Sequence, residues 1–134
     1  MDIGKLFQGR INRRTFILGI LTVFLCMMIP LLLMSFFFPS SGSFESSFST
    51  IIFFLIWLVV SICGLTINLS LFIRRWHDLG KSGWFILLQL VPYINLLFVL
   101  YLLFAQGQSK KNRFGSPPSS KIHWPQDILA MEIK

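Results

Sequence analysis

The stretch Ile51–Ile73 reads IIFFLIWLVVSICGLTINLSLFI, and RRWHDLGKSGW follows it at Arg74–Trp84. The first part holds 23 residues without a charge, 16 of them Leu, Ile, Val or Phe. At ~1.5 Å per residue a helix of that length covers the ~30 Å hydrocarbon core of a bilayer. It ends abruptly at Arg74 and Arg75, as a membrane span ends at the headgroups. The expected fold is therefore an all-α integral membrane protein, and the rest of the chain is read outward from this segment.

Upstream, Thr15–Phe38 gives another 24 uncharged residues, 15 of them Leu, Ile, Val or Phe. A secretory signal normally has an apolar region of only about 7–15 residues, so a second span is favoured. Downstream, Trp84–Ala105 is a third apolar run, interrupted by Gln89, Pro92 and Asn95. The expected organisation is a small polytopic helical bundle. A basic element at 1–14 precedes a membrane domain at 15–118, with helices near 15–38, 51–73 and 84–105. A polar tail at 119–134 follows, and Pro125–Lys134 fits one short helix with Pro at its first position.

Composition agrees. Of 134 residues 54% are apolar and 13% charged, and the net charge is +7. A soluble domain this small has too little interior to hide so much apolar area. All 12 Lys and Arg lie in Met1–Arg14, Arg74–Lys81 and Lys110–Lys134, flanking the apolar runs. That distribution argues against nucleic acid as a partner, which calls for basic residues gathered on a soluble surface, and for a lipid bilayer. Cys26 and Cys63 sit inside apolar runs, where Cys acts as a small hydrophobe. No metal or cofactor is implied.

Charge also orients the chain. The connection Pro39–Thr50 has no Lys or Arg, whereas the N-terminal stretch carries four and Arg74–Gly83 three. The positive-inside rule places the N-terminus and Arg74–Gly83 in the cytoplasm. A full third crossing would carry Lys110, Lys111, Arg113 and Lys121 outside, against the rule. Two readings stand open: a Pro-kinked single span, or a re-entrant hairpin broken near Pro92–Asn95.

Small residues suggest a helix seam, since helices in lipid associate by close packing and polar contacts. Thr15, Gly19, Thr22 and Cys26 share one face of the first helix, and Ser61, Gly64 and Asn68 one face of the second. These faces are expected to meet, with Gln89 or Asn95 as partner for Asn68.

Arg74–Trp84 is the densest polar chemistry. As a turn it is well furnished. Arg74 and Arg75 suit a helix C-terminus, and Asp78 is within ion-pair reach of both. Gly80 suits a left-handed cap, Ser82 can cap the next helix, and Trp76 and Trp84 suit the headgroup level. Gly80-Lys81-Ser82 is no phosphate-binding loop, because the Gly required five residues earlier is Arg75. Arg74, Arg75, His77 and Lys81 can instead hold an anionic lipid headgroup or another phosphate. His77, Asp78 and Ser82 are too close in sequence to make a convincing catalytic set, and a metal would need further ligands. The candidate contact residues for lipid or a partner are Arg10, Arg13, Arg74, Arg75, His77, Asp78, Lys81, Trp84, Asn112 and Arg113.

These motifs resemble a family of small bacterial inner-membrane proteins, domain-of-unknown-function 805. Three elements carry the likeness. The first is Gly9-Arg10 with Arg13-Arg14 and Phe16. The second is Arg74-Arg75-Trp76-His77-Asp78 with Gly80, Ser82-Gly83-Trp84 and Pro92. The third is Gly107 with Asn112-Arg113-Phe114-Gly115 and Pro117 or Pro118. Trp76 stands where Leu is usual, Lys110 where Gly is usual, and the Ser-rich connection is long. The resemblance implies a multi-pass bacterial inner (plasma) membrane location and no particular activity. The expected function is a non-enzymatic membrane or interaction protein that contacts anionic lipid or a partner, with a homo-oligomer or a membrane-protein complex as its setting. The alternative is a subunit of an oligomeric transporter or channel.

Overall fold

The computed structural model describes residues 6–37 and 44–119. The expected helix at Pro125–Lys134 lies outside the described residues. The elements are α1 (Arg13–Phe37), α2 (Phe44–Asp78), a 3-10 helix (Gly83–Leu90) and α3 (Pro92–Phe104). Among the described residues every regular element is a helix, apart from an isolated bridge between Asn112 and Gly115.

Two of these helices, α1 and α2, are long and apolar enough to cross a membrane. Only 17% and 6% of their apolar windows are buried within the chain, which separates them from the core helices of a soluble protein. Helix α1 begins two residues before the uncharged run. The Asn12 Oδ1 accepts from the Thr15 N–H at 2.7 Å, a side-chain cap on an otherwise unpaired donor. Helix α2 is 35 residues long and extends beyond the expected 51–73 at both ends. It takes in Phe44–Thr50 from the Ser-rich connection and Arg74–Asp78 from the basic motif. The turn is tighter than expected, because Gly80 alone carries the left-handed conformation at φ +73°.

The α1–α2 seam is antiparallel. Gly19 lies against Leu71, and Gly64 against Met27 and Val23, so advancing along α1 means retreating along α2. A Cβ at Gly19 would stand 2.7 Å from a Leu71 methyl, and one at Gly64 2.8 Å from the Met27 methyl. Both glycines set how closely the helices approach. The expected stripe is shifted by one position, however. Val23 and Met27 line the seam, while Cys26 is exposed. Thr22 and Ser61 bond the carbonyls of Leu18 and Trp57 on their own helices, each at 2.8 Å. Asn68 is half-buried and makes no hydrogen bond to Gln89 or Asn95.

The third segment is a hairpin. Its first arm leaves beside Ile73 and His77, which Gly83 touches. Its second arm ends at the same place, where Arg75 binds the carbonyls of Leu102 and Ala105. The 3-10 helix of eight residues and the α-helix of 13 span ~16 Å and ~20 Å, both short of the ~30 Å core. Pro92 explains the break. It has no N–H, its ring drives Val91 to extended angles (φ −90°, ψ 113°), and it then opens α3 at the first turn. Ser82 precedes the 3-10 helix without a side-chain cap; its carbonyl accepts from the Phe85 N–H at 3.2 Å.

Trp76 holds the hairpin to the spans. Instead of facing outward as expected, its ring is 1% exposed and packs against Phe85, Phe98 and Tyr101 at 5.3, 5.4 and 6.1 Å. With Ile11, Phe16, Leu71 and Leu102 it forms the small core, to which Phe16 adds an edge-to-face contact with Phe72 at 5.2 Å. Trp84, 76% exposed, keeps the outward position expected of both tryptophans.

Candidate functional site

Because the hairpin returns, three distant pieces of chain converge at the C-terminal end of α2. These are the segment before α1, the Arg74–Gly80 turn and the stretch 107–115 after α3. Asp78 joins them. Its Oδ1 accepts from Arg10 Nε at 3.1 Å and Arg10 Nη2 at 2.9 Å. Its Oδ2 accepts from Arg75 Nη1. The paired side chains are all but withdrawn from solvent, at 1% and 0% exposure for the two arginines and 3% for Asp78.

Two guanidinium groups against one carboxylate leave a buried surplus of one positive charge. Backbone dipoles answer it. Arg10 donates to the carbonyls of Gln108, Lys110 (2.9 Å) and Gly115 (3.3 Å), so all five of its N–H donors are engaged. Arg75 donates to Leu102 (3.1 Å) and Ala105, carbonyls at the end of α3 that have no partner within the helix. A buried ion pair is weak evidence of stability in itself, since desolvation offsets much of the attraction. Here it fixes which pieces of chain meet.

Gly107 is shaped to the same purpose. A Cβ there would stand 1.9 Å from Asp78 Oδ2 and 2.6 Å from its Cγ, so only glycine lets the returning chain lie on the carboxylate. The Gln108 N–H then bonds the Asp78 carbonyl at 3.0 Å. Beyond it, Asn112 donates to the His77 carbonyl at 2.9 Å and to Gln108 Oε1 at 3.0 Å. The Phe114 ring stacks on the His77 imidazole at 3.8 Å and 7°. The His77 Nδ1 faces the Gly9 carbonyl at 3.3 Å and so carries the proton there. His77 thus touches both the N-terminal segment and the tail. Ser70 adds a bond to the Leu6 carbonyl.

The ten residues proposed from sequence fall into two groups. Arg10, Arg74, Arg75 and Asp78 are buried, and His77 and Asn112 are half-buried and tied to the fold. Arg13, Lys81, Trp84 and Arg113 are exposed. Arg113 lies over the Phe114 ring at 4.7 Å, and Lys81 over Phe85 at 5.9 Å. Arg14, Lys110 and Lys111 are exposed at the same end and belong with the second group. Gly107, Asn12 and Ser70 escaped the reading by chemistry, though an Asn just before an apolar run is a cap signal in principle.

The family described as "Protein of unknown function (DUF805)" matches residues 6–116. The chain belongs to the DUF805 family. The match runs from the segment that carries Arg10 to the stretch that returns to it. Among curated relatives, the inner membrane protein YhaI of Escherichia coli (strain K12) is 44% identical over 50 residues, 37% of this chain and 42% of YhaI. The inner membrane protein YhaH of the same strain is 40% identical over 45 residues, 34% of this chain and 37% of YhaH. The chain is thus matched to less than half the length of either relative. No solved structure matches. With two helices long enough to cross a bilayer and inner-membrane relatives, this DUF805 chain is an all-helical inner-membrane protein.

Proposed function

We propose that this DUF805 protein is a non-enzymatic membrane protein whose basic end lies on the cytoplasmic leaflet and binds anionic lipid headgroups. One observation carries the reading. Arg13, Arg14, Lys81, Lys110, Lys111 and Arg113 are exposed at one end of the structure. Among the described residues the only acid at that end is Asp78, buried between Arg10 and Arg75. Among the described residues that end is therefore positive, with no exposed carboxylate to compensate. Near an anionic leaflet each such cation contributes about 1 kcal/mol, falling off within a Debye length. Trp84 stands at the same level, where an indole anchors a chain to headgroups.

The hairpin also removes the conflict in the charge rule. With the tail returned, the basic elements at both ends of the described chain and in the turn share a side, and that side is cytoplasmic.

The test uses the full-length protein with Arg13, Arg14, Lys81, Lys110, Lys111 and Arg113 changed to Gln, leaving the buried arginines in place. Native mass spectrometry after extraction from phosphatidylglycerol-containing membranes is expected to show bound lipid on the wild type and its loss from the variant. Equal lipid retention by both would refute the reading.

A further inference from the structure

The buried residues of this chain lie toward one end. Among the described residues, none of α1 beyond Val23 and none of α2 before Gly64 is buried. The core sits instead where the hairpin joins the spans. Phe85, Phe98 and Leu103 of the hairpin pack on the same cluster as Ile20 of α1 and Ile67 of α2. Ile20 is six residues beyond Arg14, and Ile67 seven before Arg74. On helices rising ~1.5 Å per residue, both stand ~10 Å inside the charged boundary. The hairpin thus packs on the spans within that boundary, not above it.

Its reach is bounded by its arms. Both pack on Trp76, the first through Phe85 and the second through Phe98. From Phe85 to Leu90 a 3-10 helix advances ~10 Å, and from Phe98 back to Pro92 an α-helix advances ~9 Å. The arms cannot carry the chain farther than ~10 Å beyond Trp76, whereas one leaflet's share of a ~30 Å core is ~15 Å. The hairpin therefore stays in the leaflet it enters. Trp84–Ala105 carries no charge, and its arms expose Leu87, Leu96 and Leu97 as the spans expose Leu25, Leu55 and Leu58. The lipid around the spans is continuous with the lipid around the arms.

We infer that the molecule is a wedge, four helical segments wide in the leaflet at its basic end and two in the other, and that the lipid surface it fits is a bilayer bent with the basic-end leaflet on the convex side. A helix with its side chains is ~10–12 Å across, so the two arms add on the order of 200 Å² of cross-section to one leaflet and nothing to the other. Lipid must fill the difference. On the outside of a bend a leaflet is expanded, and there a body broad in that leaflet disturbs lipid packing least. Mismatch of shape, like mismatch of length, sorts a protein toward the bilayer that accommodates it. The inference concerns shape and is independent of what the basic end binds.

The test therefore uses neutral lipid. The full chain with Cys26→Ala, Cys63→Ala and Ser109→Cys carries a dye at the exposed Ser109 position, at the basic end. It is reconstituted into phosphatidylcholine vesicles of mixed diameter. Single-vesicle fluorescence is read before and after a membrane-impermeant quencher, which separates copies with the basic end outward from those with it inward. Outward copies are expected to shift toward the smallest vesicles, and inward copies toward the largest. Equal surface density at all sizes would overturn the inference. So would one preference shared by both orientations, since a wedge reverses its preference when turned over. In the same cysteine-free background, Leu97→Cys, exposed on α3, is expected to resist a membrane-impermeant maleimide that labels Ser109→Cys. Equal labelling of the two would place the arms in water and leave no wedge.

Discussion

Replacing Asp78 by Asn removes one charge and almost no volume, so it isolates the electrostatics of the Arg10–Asp78–Arg75 cluster. Among the described residues Asp78 is the sole anion facing two guanidinium groups whose side chains are 1% and 0% exposed. The amide keeps one acceptor oxygen but turns the other position into a donor facing an arginine. Removing one member of a buried pair typically costs about 3–5 kcal/mol, because the charge left behind is uncompensated. Here two charges of like sign are left, which puts Asp78→Asn at the upper part of that range, roughly three orders of magnitude in the equilibrium. Arg10→Met should cost less, because Arg75 and Asp78 remain a neutral pair. The first piece to detach is the returning stretch 107–115, held by Arg10 through the carbonyls of Gln108, Lys110 and Gly115. Limited trypsin digestion of right-side-out and inverted vesicles reads this directly, since Lys110, Lys111 and Arg113 are cleavage sites in that stretch. Faster cleavage than in the wild type is expected for both variants, Arg10→Met because it removes the three bonds to the tail outright and Asp78→Asn because it leaves the arginines uncompensated. Cleavage of Asp78→Asn at the wild-type rate would show that charge compensation is not needed to hold the tail.

Gly107→Ala should release the same stretch without changing any charge, because its Cβ would overlap Asp78 Oδ2; a wild-type trypsin pattern would contradict the close approach. Gly64→Leu should weaken the α1–α2 seam and lower the thermal midpoint in detergent, whereas Cys26→Leu, one position off the seam, should leave it within error. Asn12→Ala removes the α1 cap and should cost about 1 kcal/mol, measurable as a lower midpoint of unfolding in mixed detergent. A reporter fused after Lys134 should be active only if it is one that works in the cytoplasm; activity of a periplasmic reporter would mean the hairpin crosses.

Much of the fold was legible because membrane spans are written in hydropathy alone. Ile51–Ile73 and Thr15–Phe38 needed no partner to be recognised. Their ends were less legible. Helix α2 continues through Arg74–Asp78 because those charges find partners in other parts of the chain, which no local pattern reveals. The hairpin was half legible: Pro92 marked the break, but the choice between kink and return depends on Arg75 reaching Leu102 and Ala105. The seam was displaced by one residue because small size is only one way to pack, and Met27 bends where Cys26 was expected to sit. At the basic end, sequence singled out ten residues without showing which are buried and which exposed. Arg10 and Arg13 are three positions apart and look alike, yet one is buried against Asp78 and the other is exposed. Burial of that kind is decided by segments 98 to 105 residues downstream.

That separation has a bearing on biosynthesis. Arg10 emerges from the ribosome long before Asp78, and longer still before the carbonyls at Gln108, Lys110 and Gly115 that complete its donor set. Both spans must therefore be inserted while their first arginine is still waiting for a counter-charge. The cluster can close only after Gly115 has been translated, so a nascent chain arrested earlier would leave the Arg10 guanidinium without its full set of acceptors.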